Sequence, residues 1–211
     1  MLGPMDLTIH QGELLFIVGG NGSGKTTLAM LLLGLYQPEA GTITLNGVPV
    51  TEANLENYRQ YFSAVFSDFH LFEQLLGTDQ QALSDRTTHY IKLFGMAHKV
   101  KVIDSKFSTI DLSSGQRKRL ALVSSYLEDR PIYLFDEWAS DQDPVFKRVF
   151  YTELLPDLKA RGKTVLIITH DDAYFHLADR IIKLEDGHLE EYGTNMSFHS
   201  LVQNGYQVIT F

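Results

Sequence analysis

A glycine-rich run followed by lysine and threonine is the strongest chemical signal in this sequence: Gly19-Gly20-Asn21-Gly22-Ser23-Gly24-Lys25-Thr26. Its glycines let successive backbone N–H groups turn inward, and a helix beginning near Lys25 adds the positive end of its dipole. This arrangement is expected to hold a polyphosphate such as that of ATP. The predicted contacts are made by Gly20, Asn21, Gly22, Ser23, Gly24, Lys25, Thr26 and Thr27.

Within this run the side chains divide the expected work. Lys25 is predicted to contact the β- and γ-phosphates, Thr26 to offer its hydroxyl to Mg²⁺, and Thr27 to add a phosphate contact. A merely flexible glycine-rich turn is the alternative. The apolar strand before the run and the helix after it favour the phosphate-binding interpretation.

Two adjacent carboxylates follow a second apolar segment, Ile132-Tyr133-Leu134-Phe135. Parallel α/β sheets bind ligands at the carboxyl ends of their strands, and a strand over 132–135 would deliver both acids there. We expect Asp136 to hold Mg²⁺ through water and Glu137 to polarise the attacking water. A solvated Asp-Glu turn is the alternative, and the fully apolar strand disfavours it.

The elements that must position these groups alternate between strand and helix, which predicts an α/β fold with a mostly parallel core sheet. Some antiparallel structure is expected before that core, because Asn46-Gly47 reads as a hairpin turn. Spaced apolar residues without a clean strand predict a helical insertion over residues 69–111. The predicted strands cover 6–9, 14–18, 41–45, 132–135, 164–169, 181–184 and 189–192, and the predicted helices cover 79–94, 115–126 and 144–160.

Composition restricts the function classes. The 211 residues are 44% hydrophobic and 21% charged, which fits one compact domain. The longest apolar stretch, near residues 28–36, is far shorter than the roughly 20 residues of a membrane span. No cysteine and no secretory leader occur, so a cytoplasmic location is expected. The net charge of −8 disfavours nucleic acid as a partner.

A third segment, Leu112-Ser113-Ser114-Gly115-Gln116, opens a helix shortly before the carboxylate pair. Physics alone says that Ser113 could cap this helix, whose N-terminus attracts an anion. The pentapeptide resembles the LSGGQ signature of ABC ATPases, with Ser114 in place of the first glycine. That resemblance implies that Ser113, Gly115 and Gln116 contact the γ-phosphate of a nucleotide held by the opposite copy of the domain.

The resemblance extends from Leu7 to about Tyr192. Ser140-Asp141-Gln142-Asp143 is similar to the family's D-loop, which places Asp143 at the dimer interface, and His170 matches its switch histidine. The family implies a P-loop NTPase fold, with an N-terminal antiparallel β subdomain and the helical insertion, as one ATP-binding domain over 1–211. It also implies that Lys25, Glu137 and His170 are catalytic.

Three departures from the family pattern carry expectations of their own. Ser67 stands where a glutamine normally contacts Mg²⁺, so Asp68 or a water is expected to help in that role. Trp138 replaces a proline after Glu137 and is expected to pack beside the D-loop. The aromatic residue that stacks on adenine would lie upstream of residue 1, so we expect an N-terminal transmembrane domain of a longer parent chain to be missing.

The sequence over residues 62–72 and 135–144 is similar to that of bacterial cyclic-peptide and siderophore-peptide exporters. This resemblance implies that two copies sandwich two Mg-ATP at the cytoplasmic face of the inner membrane and drive export of a small molecule or peptide. A loop of the membrane domain is expected to dock near Phe69 and Phe72. Two alternatives are a soluble ABC ATPase, which usually carries coiled-coil inserts or tandem cassettes, and a nucleotide-binding module without turnover.

Overall fold

The protein is described from a computed structural model that covers residues 2–75, 80–194 and 207–210. Its strands are β1 (Thr8–His10), β2 (Leu14–Val18), β3 (Thr44–Leu45), β4 (Val48–Pro49), β5 (Phe62–Val65), β6 (Val102–Ile103), β7 (Lys106–Phe107), β8 (Ile132–Asp136), β9 (Thr164–Ile168), β10 (Arg180–Glu185), β11 (His188–Thr194) and β12 (Gln207–Thr210). Its α-helices are α1 (Lys25–Leu32), α2 (Leu55–Arg59), α3 (Gln80–Leu93), α4 (Ser114–Glu128), α5 (Pro144–Val149) and α6 (Leu155–Ala160). None of the described helices is long and apolar enough to cross a membrane.

The central sheet has the strand order β11-β10-β2-β9-β8-β5. All neighbours in it are parallel except β11, which pairs with β10 as the predicted closing hairpin. Because β2, β9 and β8 are adjacent, the segments that follow them emerge at one edge of the sheet. Those segments carry Lys25, His170 and Glu137, so the sheet topology alone brings these three predicted catalytic residues to one edge. The predicted α/β class with a mostly parallel core is confirmed.

Alternation along each strand divides the core into two layers. In β2, Phe16 faces one side with the helices α4 to α6, whereas Leu15 and Ile17 face the other side with α1. Every residue of β2, β8 and β9 is buried, as expected for parallel strands covered by helices on both faces. The continuous apolar runs read from the sequence therefore reflect burial on two sides.

A separate four-stranded antiparallel sheet has the order β1-β12-β3-β4. The strand predicted over 6–9 begins two residues later, at Thr8, and pairs with β12. No strand is predicted after Tyr192, although the β12 segment Gln207-Val208-Ile209-Thr210 is rich in β-branched residues that favour strands. Thus the antiparallel sheet combines segments from both ends of the described chain.

The predicted insertion contains α3 as expected, but it also contains a short hairpin of β6 and β7. Asp104 and Ser105 both have positive φ, the geometry of a tight two-residue hairpin turn. The prediction that 69–111 lacks strands is therefore wrong at this hairpin. Two-residue strands are too short to give an alternating pattern, which explains the omission.

The predicted helix over 144–160 is interrupted by a π-helical turn at Phe150–Leu154, between α5 and α6. It begins with Asp143 as N-cap and Pro144 in its first turn, a sequence pattern that favours a helix start. π-turns inside helices are frequent at functional sites. This one presents Tyr151 to the sheet edge described below.

Candidate nucleotide-binding site

The loop between β2 and α1, called here the phosphate loop (residues 19–26), closes around its own lysine. Lys25 Nζ donates to the carbonyl oxygens of Gly19 and Gly20 at 2.9 Å each. The Ser23 N–H donates to the Gly20 carbonyl at 3.2 Å. Lys25 is buried, so its charge needs these oxygen partners. The ammonium group is thereby placed where phosphate oxygens could replace the carbonyls.

Two glycines in the phosphate loop are required by its backbone. Gly19 has φ +148°, and a Cβ added there would lie 2.2 Å from the carbonyl oxygen of Leu184. Gly24, the N-cap of α1, has φ +104°. Side-chain-bearing residues rarely adopt these angles. The glycine spacing thus reflects loop geometry, as the sequence indicated.

One buried atom in the phosphate loop points to a ligand. Within the described residues, the hydroxyl of Ser23 is buried and has no hydrogen-bond partner. Such a group costs roughly 1–3 kcal/mol unless something binds it. Gly24 is half-buried, and the remaining predicted phosphate contacts are open to solvent: Gly20, Asn21, Gly22, Thr26 and Thr27. A basic side chain, an unpartnered hydroxyl and exposed backbone together fit a polyphosphate.

A hydroxyl and a carboxylate meet beside this loop. Thr26 Oγ1 donates to Asp136 Oδ2 at 3.2 Å. Burial raises the pKa of Asp136 above its usual range, against the lowering effect of the Thr26 hydrogen bond. Hydroxyl and carboxylate oxygens are ligands that Mg²⁺ takes together with phosphate oxygens. Thr26 and Asp136 supply two such oxygens, so the pair fits a cation that it shares with a phosphate.

Ser67 follows β5, at the same edge of the sheet. It is exposed and makes no side-chain hydrogen bond within the described part of the chain. Its neighbour Asp68 contributes to raising the pKa of Asp136, so the two carboxylates lie within electrostatic reach. The metal role predicted for Ser67 stays a prediction, and Asp68 is the better supported group of the two.

Glu137 and His170 form a pair at the ends of adjacent strands. His170 Nε2 lies 3.1 Å from Glu137 Oε1, and the two side chains are 48% and 37% exposed. The Glu137 N–H donates to the Ile168 carbonyl at 3.0 Å, which ties the end of β8 to the end of β9. Glu137 itself has φ +49°. A carboxylate in contact with an imidazole and open to solvent can accept a proton from water.

The predicted signature segment begins α4. Ser113 is its N-cap and forms a reciprocal capping box with Gln116, at 3.4 and 3.3 Å. A Cβ on Gly115 would lie 2.6 Å from the carbonyl oxygen of Asp141, so the close approach requires glycine. Within the described residues, no hydrogen bond or ion pair links residues 112–119 to the phosphate loop.

The loop from 137 to 143, called here the β8–α5 loop, is held on α4 by a lysine that the sequence reading did not single out. Lys118 is 1% exposed. Its Nζ pairs with Asp141 Oδ2 at 3.0 Å and donates to Ser140 Oγ at 3.2 Å and to the Glu137 carbonyl at 3.3 Å. Lys118 lies four residues before the buried Leu122, so its helical phase could have flagged it.

Both departures from the family pattern in this area belong to the same network. The Ser114 hydroxyl donates to Asp141 at 3.0 Å, and the Trp138 indole N–H donates to the Lys118 carbonyl at 3.0 Å. Trp138 is buried and packs on Phe150 with ring centroids 4.3 Å apart. The expectation that Trp138 packs beside the D-loop is confirmed.

The end of the β8–α5 loop is tied down by a second set of contacts. Gln142 Nε2 donates to the Gly115 carbonyl at 3.0 Å, and Arg119 donates to Gln142 at 2.9 Å and pairs with Asp143. Asp143 also accepts from the Phe146 N–H, which lowers the pKa of Asp143. The structure therefore brings Ser113, Gly115 and Asp143 together, apart from Lys25.

A groove of about 590 Å³ lies between α4, β5 and the start of the insertion. Phe69, Leu71, Phe72, Ala121 and Ser125 are among its lining residues. Phe72 is 71% exposed, which is unusual for a large apolar side chain. At one end the Ser63 hydroxyl lies 2.5 Å from the exposed Glu128 carboxylate. The groove is apolar with one acidic end.

Comparison with known proteins gives a consistent picture. Residues 2–140 match a family model described as ABC transporter. The chain is 62% identical over 189 residues to the ATP-binding protein SyrD of Pseudomonas syringae pv. syringae, covering 88% of this chain and 33% of that protein. It is 34% identical to an ATP-dependent lipid A-core flippase of Alkalilimnicola ehrlichii, covering 98% and 36%. The chain thus spans about a third of the length of these curated relatives.

Solved structures share the fold. The chain superposes on cbiO1 of Clostridium perfringens, part of the ABC transporter complex cbiONQ, with a TM-score of 0.75 at 23% identity, covering 96% of this chain and 86% of that one. It superposes on a dimeric ATP-binding cassette in a post-hydrolysis state bound to ADP and Pi with a TM-score of 0.76 at 24% identity, covering 91% of each.

Proposed function

The chain belongs to the ABC transporter family, whose ATP-binding domains hydrolyse ATP, and from this premise we propose that it drives export of a small molecule or peptide. The observation that carries the proposal is the convergence of Lys25, Asp136 and the Glu137–His170 pair at one sheet edge. Names of relatives support transport as the process that is coupled to ATP, since an ATP-dependent lipid A-core flippase and a lactococcin-A transport/processing ATP-binding protein of Lactococcus lactis are among them.

In the proposed reaction, the polyphosphate of ATP enters the phosphate loop. Its oxygens replace the Gly19 and Gly20 carbonyls at Lys25 Nζ and give Ser23 the partner it lacks. Thr26 and Asp136 would hold Mg²⁺, which supplies charge neutralisation at the phosphates when bound. Ser67 or Asp68 would complete that site.

Glu137 is proposed as the general base. Its carboxylate takes a proton from the attacking water. The His170 imidazole, 3.1 Å from Glu137 Oε1, fixes the orientation of that carboxylate through a hydrogen bond. Lys25 and the backbone N–H groups of the phosphate loop face the charge that develops on the transferred phosphoryl group. Catalysis then rests on positioning and electrostatics.

We assign Ser113, Gly115, Gln116 and Asp143 to a second copy's nucleotide. These residues form one surface at the start of α4 without a hydrogen bond or ion pair to their own phosphate loop within the described residues, and Ser113 and Asp143 are exposed. A helix N-terminus favours a phosphate. A head-to-tail pair of copies would bring this surface to Lys25 of the partner and enclose two ATP molecules.

The groove beside α4 is the proposed docking place for a transmembrane domain of the same parent polypeptide. Exposed Phe72 and half-buried Phe69 offer an apolar contact, and the Glu128 end favours a basic residue in the docked segment. This arrangement would keep the domain at the cytoplasmic face of the bacterial inner membrane. The resemblance to cyclic-peptide exporters supports a peptide cargo.

The decisive experiment is light scattering of Glu137→Gln with and without Mg-ATP, beside a hydrolysis assay. We expect turnover to fall by about 10³-fold because the base is removed. We also expect an ATP-dependent dimer, since ATP hydrolysis would no longer open the closed dimer. A variant that binds ATP but stays monomeric would contradict the shared site, and undiminished turnover would contradict Glu137 as the base.

A further inference from the structure

The residues on either side of His170 are joined by a closed ring of hydrogen bonds. The Asp171 N–H donates to Thr169 Oγ1 at 3.0 Å, Thr169 Oγ1 lies 2.7 Å from the Tyr151 hydroxyl, and that hydroxyl donates to Asp171 Oδ2 at 3.0 Å. Each hydroxyl has a single proton. The Tyr151 hydroxyl therefore donates its hydrogen bond to the carboxylate, and the Thr169 hydroxyl donates its hydrogen bond to the Tyr151 oxygen. All donors point the same way around the ring, an arrangement in which hydrogen bonds strengthen each other.

Tyr151 is held firmly in this place. It lies in the π-turn between α5 and α6 and is fully buried. Its ring stacks on Tyr174 at 4.2 Å with planes 10° apart, and Phe16 contacts it at 6.1 Å from within the core. Burial raises the pKa of Tyr151 well above its ordinary value, so the hydroxyl keeps the proton that it donates.

The Asp171 carboxylate, which accepts this hydrogen bond, is fixed from its other side as well. Asp171 Oδ1 accepts from Lys147 Nζ at 2.8 Å. Lys147 precedes Tyr151 by four residues on the same helical segment, so one face of that segment holds both carboxylate oxygens. The peptide from 169 to 171 thus has anchors on both sides of His170, while the His170 side chain itself contacts Glu137.

We propose that Tyr151 is a positioning residue for His170, fixing the 169–171 peptide so that the imidazole meets Glu137. This inference rests on the proposed function, in which His170 supports hydrolysis. Tyr151 itself does not touch the reacting atoms. Its effect passes through Thr169 and Asp171, the two chain neighbours of the histidine.

The test compares Tyr151→Phe with a matched control, Tyr126→Phe. Tyr126 is also buried, and its hydroxyl donates to the Leu154 carbonyl of the same π-turn at 3.1 Å, without a bond to residues 169–171. Both changes remove one buried hydroxyl and keep the ring. We expect Tyr151→Phe to lower kcat for ATP about tenfold with KM within about twofold, and Tyr126→Phe to leave both unchanged.

Two further measurements distinguish a positioning role of Tyr151 from a purely structural one. In a His170→Ala background, Tyr151→Phe should lower kcat no further, because the two residues act as a unit. In the nucleotide-free protein, the imidazole Hε1 resonance of His170, identified by its loss in His170→Ala, should shift in Tyr151→Phe and stay in place in Tyr126→Phe.

The outcomes are distinguishable. Equal kcat in Tyr151→Phe and Tyr126→Phe, or a full additional loss in the His170→Ala background, overturns the inference. A wild-type chain without turnover contradicts the proposed function instead, and the resonance then decides: a shift confined to Tyr151→Phe supports the positioning role, and an unmoved signal overturns it.

Discussion

The phosphate loop and the β8–α5 loop lie at one sheet edge but are stabilised in opposite ways. The phosphate loop holds its buried lysine with its own backbone, because Lys25 bonds to carbonyls five and six residues earlier in the chain. The β8–α5 loop depends on side chains of α4, with Lys118 reaching Ser140 and Asp141 more than twenty residues later. The contacts inside the phosphate loop can be expected from its own motif, whereas the resemblance of residues 140–143 to a D-loop gives no sign of the Lys118 contacts that hold the β8–α5 loop.

The sharpest way to break this comparison is to add one methyl group to the phosphate loop. Gly19→Ala should abolish ATP binding and lower the free energy of unfolding by about 3 kcal/mol, because the new Cβ meets the Leu184 carbonyl at 2.2 Å. Gly22→Ala is the control, since its Cβ would meet nothing within 4 Å and only the positive φ is strained. It should cost about 1 kcal/mol. Denaturant unfolding and nucleotide titration measure both, and equal losses would argue against the close approach as the cause.

Lys118→Met tests the dependence of the β8–α5 loop on α4. Methionine has a side chain of similar length but leaves Asp141, Ser140 and the Glu137 carbonyl without their shared cation. We therefore expect a loss of roughly 2–4 kcal/mol in unfolding free energy and slower ATP turnover.

The matched control is Lys163→Met, because Lys163 pairs with the half-exposed Asp129, which Arg161 also binds. Its loss should stay within about 1 kcal/mol and leave turnover unchanged. If the two variants proved equally stable, the β8–α5 loop would not need its contact with α4.

A smaller effect should appear in the pH dependence of Asp141→Asn. Hydrogen bonds from Lys118 and then Ser114 lower the pKa of Asp141 in the folded protein. A carboxylate with a lowered folded-state pKa adds stability above its unfolded-state pKa and loses it as the pH falls through the folded value.

The wild type should therefore exceed Asp141→Asn in stability by a constant amount near neutral pH. That difference should shrink below about pH 4. Unfolding curves collected from pH 7 to pH 3 measure it. A difference that stays constant down to pH 3 would show that the carboxylate charge is not what holds the loop.

Local pattern explains which parts of this molecule could be predicted. The apolar runs that became β2, β8 and β9, and the motifs at their ends, identified the sheet edge and the placement of Lys25, Asp136 and Glu137. The Ser113 cap was also readable, because its partner Gln116 lies three residues away.

The remaining features depend on contacts that leave no local pattern. The π-turn at 150–154 reads as ordinary helix, since its buried residues keep a helical spacing. The pairing of β12 with β1 joins segments from opposite ends of the chain, and the ring at Tyr151 joins side chains eighteen to twenty residues apart. Ser114 was visible as a departure, but its bond to Asp141 was not.

Trp138 gives the protein a built-in optical reporter. It is the single tryptophan of the chain, it directly follows Glu137, and its indole is buried against Phe150 while its N–H bonds to the Lys118 carbonyl. Emission from a dry indole shifts to the red when water reaches it. Steady-state fluorescence can therefore follow the β8–α5 loop during nucleotide turnover without any attached dye.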